Sequence, residues 1–201
     1  MNAYQAEQLD ALNQITNRIE LLRSLQDEAI RPYLSFRRQL DEFSKRHFAA
    51  FCNRACFESR TSACCSKDGI ITFWADVVIN VAEADKHQID DLFTAIENPL
   101  FAEKCIYLGE NGCRWQVRPL GCALFLCDKV QEAVLARSPD LHRQWEAYRS
   151  TAKTFRWPDR PVLFDHLEQV FLDAGCRSPL MYINTSPGLL HIKQQANTKL
   201  P

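Results

Sequence analysis

The chain has 201 residues, enough for one domain with its own core, and 46% of them are apolar. Its 24 basic and 25 acidic residues leave a formal charge of −1. No Lys/Arg run offers a phosphate-binding surface, so nucleic acid is not an expected partner. The opening stretch MNAYQAEQLDALNQ lacks the basic and apolar runs of a secretory signal. The longest apolar segments, VVINVA and ALFL, fall far short of the roughly 18–20 residues that span a bilayer. A cytoplasmic protein with no membrane partner is the expectation, in a compartment where thiols stay reduced.

Residues 4–30 read as a helix, with Leu9, Leu12, Ile15, Ile19, Leu22 and Leu25 at spacings of three and four. Pro32 punctuates the pattern, and a second amphipathic run follows through Leu34, Phe36, Leu40, Phe43 and Phe51. The two runs (residues 1–50) are expected to pack on the core as a helical hairpin or one bent helix. A surface for a protein partner is the alternative.

Thr72 is the expected N-cap of a helix over FWADVVINVAEA, and Asp85 with Gln88 makes a capping box for KHQIDDLFTAIE, which ends before Asn98-Pro99. Ser138-Pro139 opens a helix with Leu141, Trp145, Tyr148, Ala152 and Phe155 on one face. Pro161 opens another, with Leu163, Leu167, Val170, Phe171 and Ala174 inward and Gly175 as the stop. The tail LMYINTSPGLLHI reads as two short strands around Pro187-Gly188. The expected fold class is mainly α, a helical frame around an irregular cysteine-rich metal-binding centre, with a small C-terminal β-hairpin. Residues 51–201 form the cysteine-cluster domain, one compact unit with the N-terminal helices.

Eight of the nine cysteines sit in two runs, CNRACFESRTSACC and CIYLGENGCRWQVRPLGCALFLC. An odd count, below the roughly 8–10% of a disulfide scaffold, points to metal or redox chemistry. If the helix before Cys52 continues, Cys52 and Cys56 share a face at i and i+4. Cys64 and Cys65 are neighbours, so in extended chain they point to opposite sides. One ligand is expected from this pair, and a packing, second-site or redox thiol from the other.

In the second run, Gly109-Glu110-Asn111-Gly112 is a turn signal. A four-residue loop pairs Leu108 with Cys113 and sends Cys105 to the opposite face. A five-residue loop brings Cys105 and Cys113 to one face, and ligation by both predicts this longer loop or an irregular one. Arg118-Pro119 breaks regular structure before Cys122. In a helix, Cys122 and Cys127 would lie about 140° apart, which makes Cys127 the weakest candidate. His87 is the sole histidine between the ends of the two runs, so a two-cysteine, two-histidine finger is not expected. Soft thiolates suit an iron–sulfur cluster, favoured here, or zinc. The ligand candidates are therefore Cys52, Cys56, Cys64, Cys65, Cys105, Cys113, Cys122 and Cys127, drawn together as two halves of one site. Cys176 stands apart at a helix end, as a small apolar residue. Trp74, Trp115 and Phe125 read as core, with cluster shelter as the alternative. No carboxylate or histidine set reads as catalytic.

The motifs Cys105-Ile-Tyr107-Leu108, Cys113, Trp115, Arg118-Pro119-Leu-Gly-Cys122 and Phe125, preceded by Cys52, Cys56 and Cys64-Cys65, resemble the YkgJ-type cysteine-cluster family. That family is described as putative zinc- or iron-chelating domains. The resemblance covers roughly residues 50–127. It departs from the family in a first motif expanded to C-x3-C-x7-CC and a gap from Cys113 to Cys122 one residue shorter. It implies a chelated metal or cluster on these thiols. Related motifs occur in flagellin lysine-N-methylases, but no glycine-rich turn for that cofactor's nucleotide part follows a strand here, and the activity is not carried over.

Overall fold

Asn2 and Gln5 exchange backbone-to-side-chain hydrogen bonds of 2.8 Å, a capping box that starts α1 (Ala3–Thr16). A computed structural model describes residues 1–25, 29–59, 62–66 and 71–198 of the chain. The expected first helix is broken: α1 stops at Thr16 and α2 resumes at Ile19–Leu25, while residues 26–28 lie outside the described residues. Thr16 and Asn17 are weak helix formers, and the Thr16 hydroxyl donates to the Leu12 carbonyl at 2.8 Å. The break turns Ile19 outward, so it leaves the expected apolar stripe, whereas Leu12, Ile15, Leu22 and Leu25 are buried.

Pro32 lies in the first turn of α3 (Arg31–His47), which runs on into α4 (Ala49–Cys52). Then come α5 (Trp74–Glu83), α6 (Lys86–Glu97), strands β1 (Leu108–Gly109) and β2 (Gly112–Cys113), α7 (Leu120–Ala123) and α8 (Asp128–Val130). The long helices α9 (Pro139–Arg156) and α10 (Leu163–Asp173) follow, and α11 (Tyr182–Thr185) and α12 (Pro187–Thr198) close the chain. The protein is mainly helical with one small antiparallel hairpin, β1–β2, which lies mid-chain.

The C-terminal segment is corrected from a hairpin to helix. Ser186 and Pro187 start a helix, since proline supplies the right φ in a first turn, and the Leu190 N–H donates to the Ser186 carbonyl at 2.9 Å. The first residue before α5 is likewise Phe73 and not Thr72, because Asp76 reaches back to the Phe73 N–H at 3.0 Å. The expected boundaries of α6 and α9 hold, with Asp85–Gln88 as a full capping box and Ser138 accepting from Leu141 N–H.

α10 ends as a Schellman motif: Cys176 N–H donates to the Phe171 carbonyl at 2.9 Å and Gly175 N–H to Leu172 at 3.0 Å. Gly175, at φ +84°, supplies the left-handed residue. Phe164, Leu167 and Phe171 form the buried stripe of α10, while Ala174 is exposed, since the last turn has rotated off the core.

Helix α5 is buried along most of its length, with α1 and α10 packed against it. The Trp74 ring meets Phe171 edge-on at 5.4 Å. α3 packs on α9 through aromatic contacts, Tyr33 with Phe155 at 5.2 Å and Phe43 with Tyr148 at 5.1 Å. These contacts put the expected face of α9 inward. Among the described residues no helix is long and apolar enough to cross a membrane.

Candidate metal centre

The helix carrying Cys52 does continue towards Cys56, but as a π turn over Asn53–Phe57, closed by Glu58 N–H to the Asn53 carbonyl at 2.8 Å. A second π turn, Gln131–Leu135, follows α8 just beyond Cys127. Single π turns are rare and frequent at functional sites. Residues of the first π turn, Ala55 and Cys56, and of α8 line a cavity of about 250 Å³. Four thiols line it, Cys52, Cys56, Cys64 and Cys127, together with Phe51, Phe125, Leu126 and Val130 and the charged pair Asp128 and Lys129. Cys127, the weakest candidate on helical spacing, thus lies with the first run. The chain leaves α7 after Ala123, and residues 124–127 are not helical, so the 140° argument does not apply to them.

The other four thiols do not line this cavity, although Cys64 acts electrostatically on Cys65, Cys113 and Cys122. Cys65 accepts the Cys105 N–H on its carbonyl at 2.9 Å, and Ser66 and Lys104 form an antiparallel bridge beside it. The hairpin takes the shorter register, Leu108 opposite Cys113 and Gly109 opposite Gly112. Gly112 sits at φ +112° in the turn. The longer loop expected for joint ligation is absent, yet Cys113 still acts electrostatically on Cys105. A turn between Cys105 and Leu108, closed at 3.0 Å, breaks the strand alternation that would have parted them.

Cys122 sits on α7. Asp76 holds the start of that helix, accepting from Leu120 N–H at 2.9 Å, and Asn80 accepts from Val117 N–H at 2.9 Å. Arg37, itself buried, donates to the Arg118 carbonyl at 2.6 Å. The sequence signal missed here was the pair of polar residues, Asp76 and Asn80, within the buried, mostly apolar run of α5.

The charges of the thiols are coupled. A side-chain hydrogen bond from Cys65 lowers Cys64 to about 6, and the same bond raises Cys65. Burial pushes Cys105 up to about 12 and Cys122 up to about 11, and desolvation raises Cys52 and Cys113. Arg118 pulls the other way on Cys52, Cys64, Cys113 and Cys122, drawn from both groups. The Arg118 guanidinium lies 3.4 Å from the Asp41 carboxylate.

No disulfide joins any of the nine cysteines, and Cys176 is buried at its helix end. Of the three aromatic candidates, Trp74 and Trp115 are core, Trp115 against Tyr107 at 5.0 Å. Phe125, 52% exposed, lines the thiol cavity. Among the described residues no three Cys, His, Asp or Glu side chains are placed to hold one metal ion between them. A single tetrahedral zinc, with bonds of about 2.3 Å, needs sulfurs within roughly 4 Å of one another. A polynuclear cluster spaces its thiolates more widely than one ion does.

Comparison with known proteins gives no match to a family model, to a curated protein or to a solved structure.

Proposed function

We propose that this protein holds an iron–sulfur cluster in the cavity, through Cys52, Cys56, Cys64 and Cys127. The observation that carries this reading is the convergence of four thiols, from three separated stretches of chain, on one cavity of about 250 Å³. Four soft thiol donors line it beside Asp128 and Lys129, and Phe51, Phe125, Leu126 and Val130 supply the apolar part of the wall. A cluster in such a place supplies one-electron exchange. The chain contributes the thiolates, and Arg118 offsets their negative charge on Cys52 and Cys64. The resemblance to the YkgJ-type cysteine-cluster family leads to the same class of chelated group. A reducing compartment such as the cytoplasm would keep the ligands as thiols. A zinc staple is less well supported, because the sulfurs are not spaced for one ion.

The test is anaerobic purification with iron, zinc and acid-labile sulfide measured on one sample, alongside its absorption spectrum. A broad band near about 400 nm that bleaches with dithionite, with iron and sulfide in equal amounts, is expected. Colourless protein without iron or sulfide overturns the reading.

A further inference from the structure

A larger cavity, of about 640 Å³, shares the first π turn with the thiol cavity. Successive residues divide between the two: Ala55 and Cys56 line the thiol cavity, while Phe57 and the capping residue Glu58 line the larger one. Its volume falls within the roughly 300–1,000 Å³ of small-molecule sites. We propose that this larger cavity binds a small organic cation carrying an aromatic or alkyl body.

Three separated stretches of chain build the site. The π turn closes on Glu58 and leaves the Phe57 ring exposed. Beyond α6, a turn in which the Lys104 N–H donates to the Phe101 carbonyl at 3.3 Å presents Leu100 and Phe101. The third wall is β1 and the residue after it, Leu108, Gly109 and Glu110. Phe57, Leu100 and Phe101 are three of the eight large apolar side chains exposed among the described residues, and all three meet at this one cavity. Scattered exposed apolar residues are ordinary, whereas a group of them around one concavity marks a binding site.

The charges select the ligand. Glu58 and Glu110 bring carboxylates from two different elements, and among the described residues neither forms an ion pair or a side-chain hydrogen bond. Lys104, whose charge also acts on Cys64, is the one basic residue in the described lining, so negative charge exceeds positive there. Carboxylates attract a cation, and so do the faces of aromatic rings such as Phe57 and Phe101. An anion would meet two carboxylates against one ammonium, and a neutral ligand would gain only from the apolar surface. A cation with an apolar body uses both kinds of wall. No thiol takes part, so the site stands apart from the cluster proposed above.

The experiment is isothermal titration calorimetry of the full chain with three probes of similar size, benzylammonium, benzyl alcohol and benzoate, at neutral pH and millimolar concentration. Iron and sulfide measured on the same samples decide the cluster reading separately. The expected result is that benzylammonium binds most tightly. Glu58→Gln combined with Glu110→Gln should weaken it roughly two- to tenfold and leave benzyl alcohol unchanged, while Phe101→Ala should weaken both. All three positions are exposed, and circular dichroism checks that the variants keep their helices. Equal binding of the three probes, tighter binding of benzoate, or unchanged benzylammonium affinity in the double variant overturns the cation site. Absence of binding by any probe overturns it as well.

Discussion

Asp76 and Leu120, 44 residues apart, are joined by a 2.9 Å hydrogen bond from the Leu120 N–H to the Asp76 carboxylate. The second carboxylate oxygen takes the Phe73 N–H at 3.0 Å, so one buried side chain both starts α5 and holds the head of α7. Asp76→Ala would orphan two N–H groups, at a cost of about 1–3 kcal/mol for each one left buried without a partner. Urea unfolding measures the loss, and hydrogen exchange should show Leu120 losing protection. Asp76→Asn, with one acceptor oxygen, should fall between wild type and Asp76→Ala.

Stability should depend on pH through Glu168. Burial raises this carboxyl from its ordinary value of 4.5 to about 7, although Asn184 donates to it at 2.7 Å. The folded state therefore binds the proton more tightly than the unfolded chain. Its contribution is fully present below about pH 4.5 and is lost as pH rises through about 7, by at most about 3 kcal/mol. Asp76, raised to about 6 by burial, acts in the same direction. Thermal melts between pH 4 and 8 should show falling stability, and Glu168→Gln should flatten the upper part of that slope. A slope unchanged in the variant would remove Glu168 as its source.

Arg118→Gln should slow alkylation of Cys52, Cys113 and Cys122 in metal-free protein at mildly alkaline pH, by roughly two- to fivefold, since it removes a charge that favours their thiolates, while Cys64, lowered to about 6, stays ionised and is little affected. Cys176, on which Arg18 and Arg177 act instead, is the internal control. Added salt should shrink the difference, because Arg118 is partly exposed. Mass spectrometry reads each site, and an equal slowing at Cys176 would contradict the assignment.

Phe171→Ala should cost about 3–5 kcal/mol, because its ring is fully buried against Trp74 where α10 meets α5. Gly175→Ala should cost only about 1 kcal/mol. No atom lies within 4 Å of the added methyl, so the cost is that of the left-handed backbone alone. Denaturant melts of the two variants separate packing from conformation.

Local signals were the legible part of this chain. Asp85 with Gln88, and Ser138 before Pro139, name their helices because the capping atoms lie within three residues of the groups they satisfy. Ser186-Pro187-Gly188 was ambiguous, since the same residues suit a turn and a helix start. The helical frame follows from apolar periodicity, whereas Cys64 and Cys65, expected to point apart in extended chain, lie in a tight turn over Ala63–Cys65 with a hydrogen bond between their side chains. The partnership of Cys127 with Cys52 was not legible, because it depends on how α4 and α8 are brought together across 75 residues of chain. Asp76 and Asn80 were equally hidden, since their partners lie 44 and 37 residues away.

The π turn that lines the cavity, and the one that follows α8, have a consequence for chain length. A π turn is an α-helix that accommodates one additional residue. Removing a single position from Asn53–Phe57 or Gln131–Leu135 would let the ordinary ladder close and rotate the residues downstream by about 100°. Shortening the first would swing Cys56 off the heading set by Cys52, with every side chain unaltered. The thiol cavity is thus encoded in residue count as much as in residue type, and a one-residue deletion there would be harsher than many substitutions.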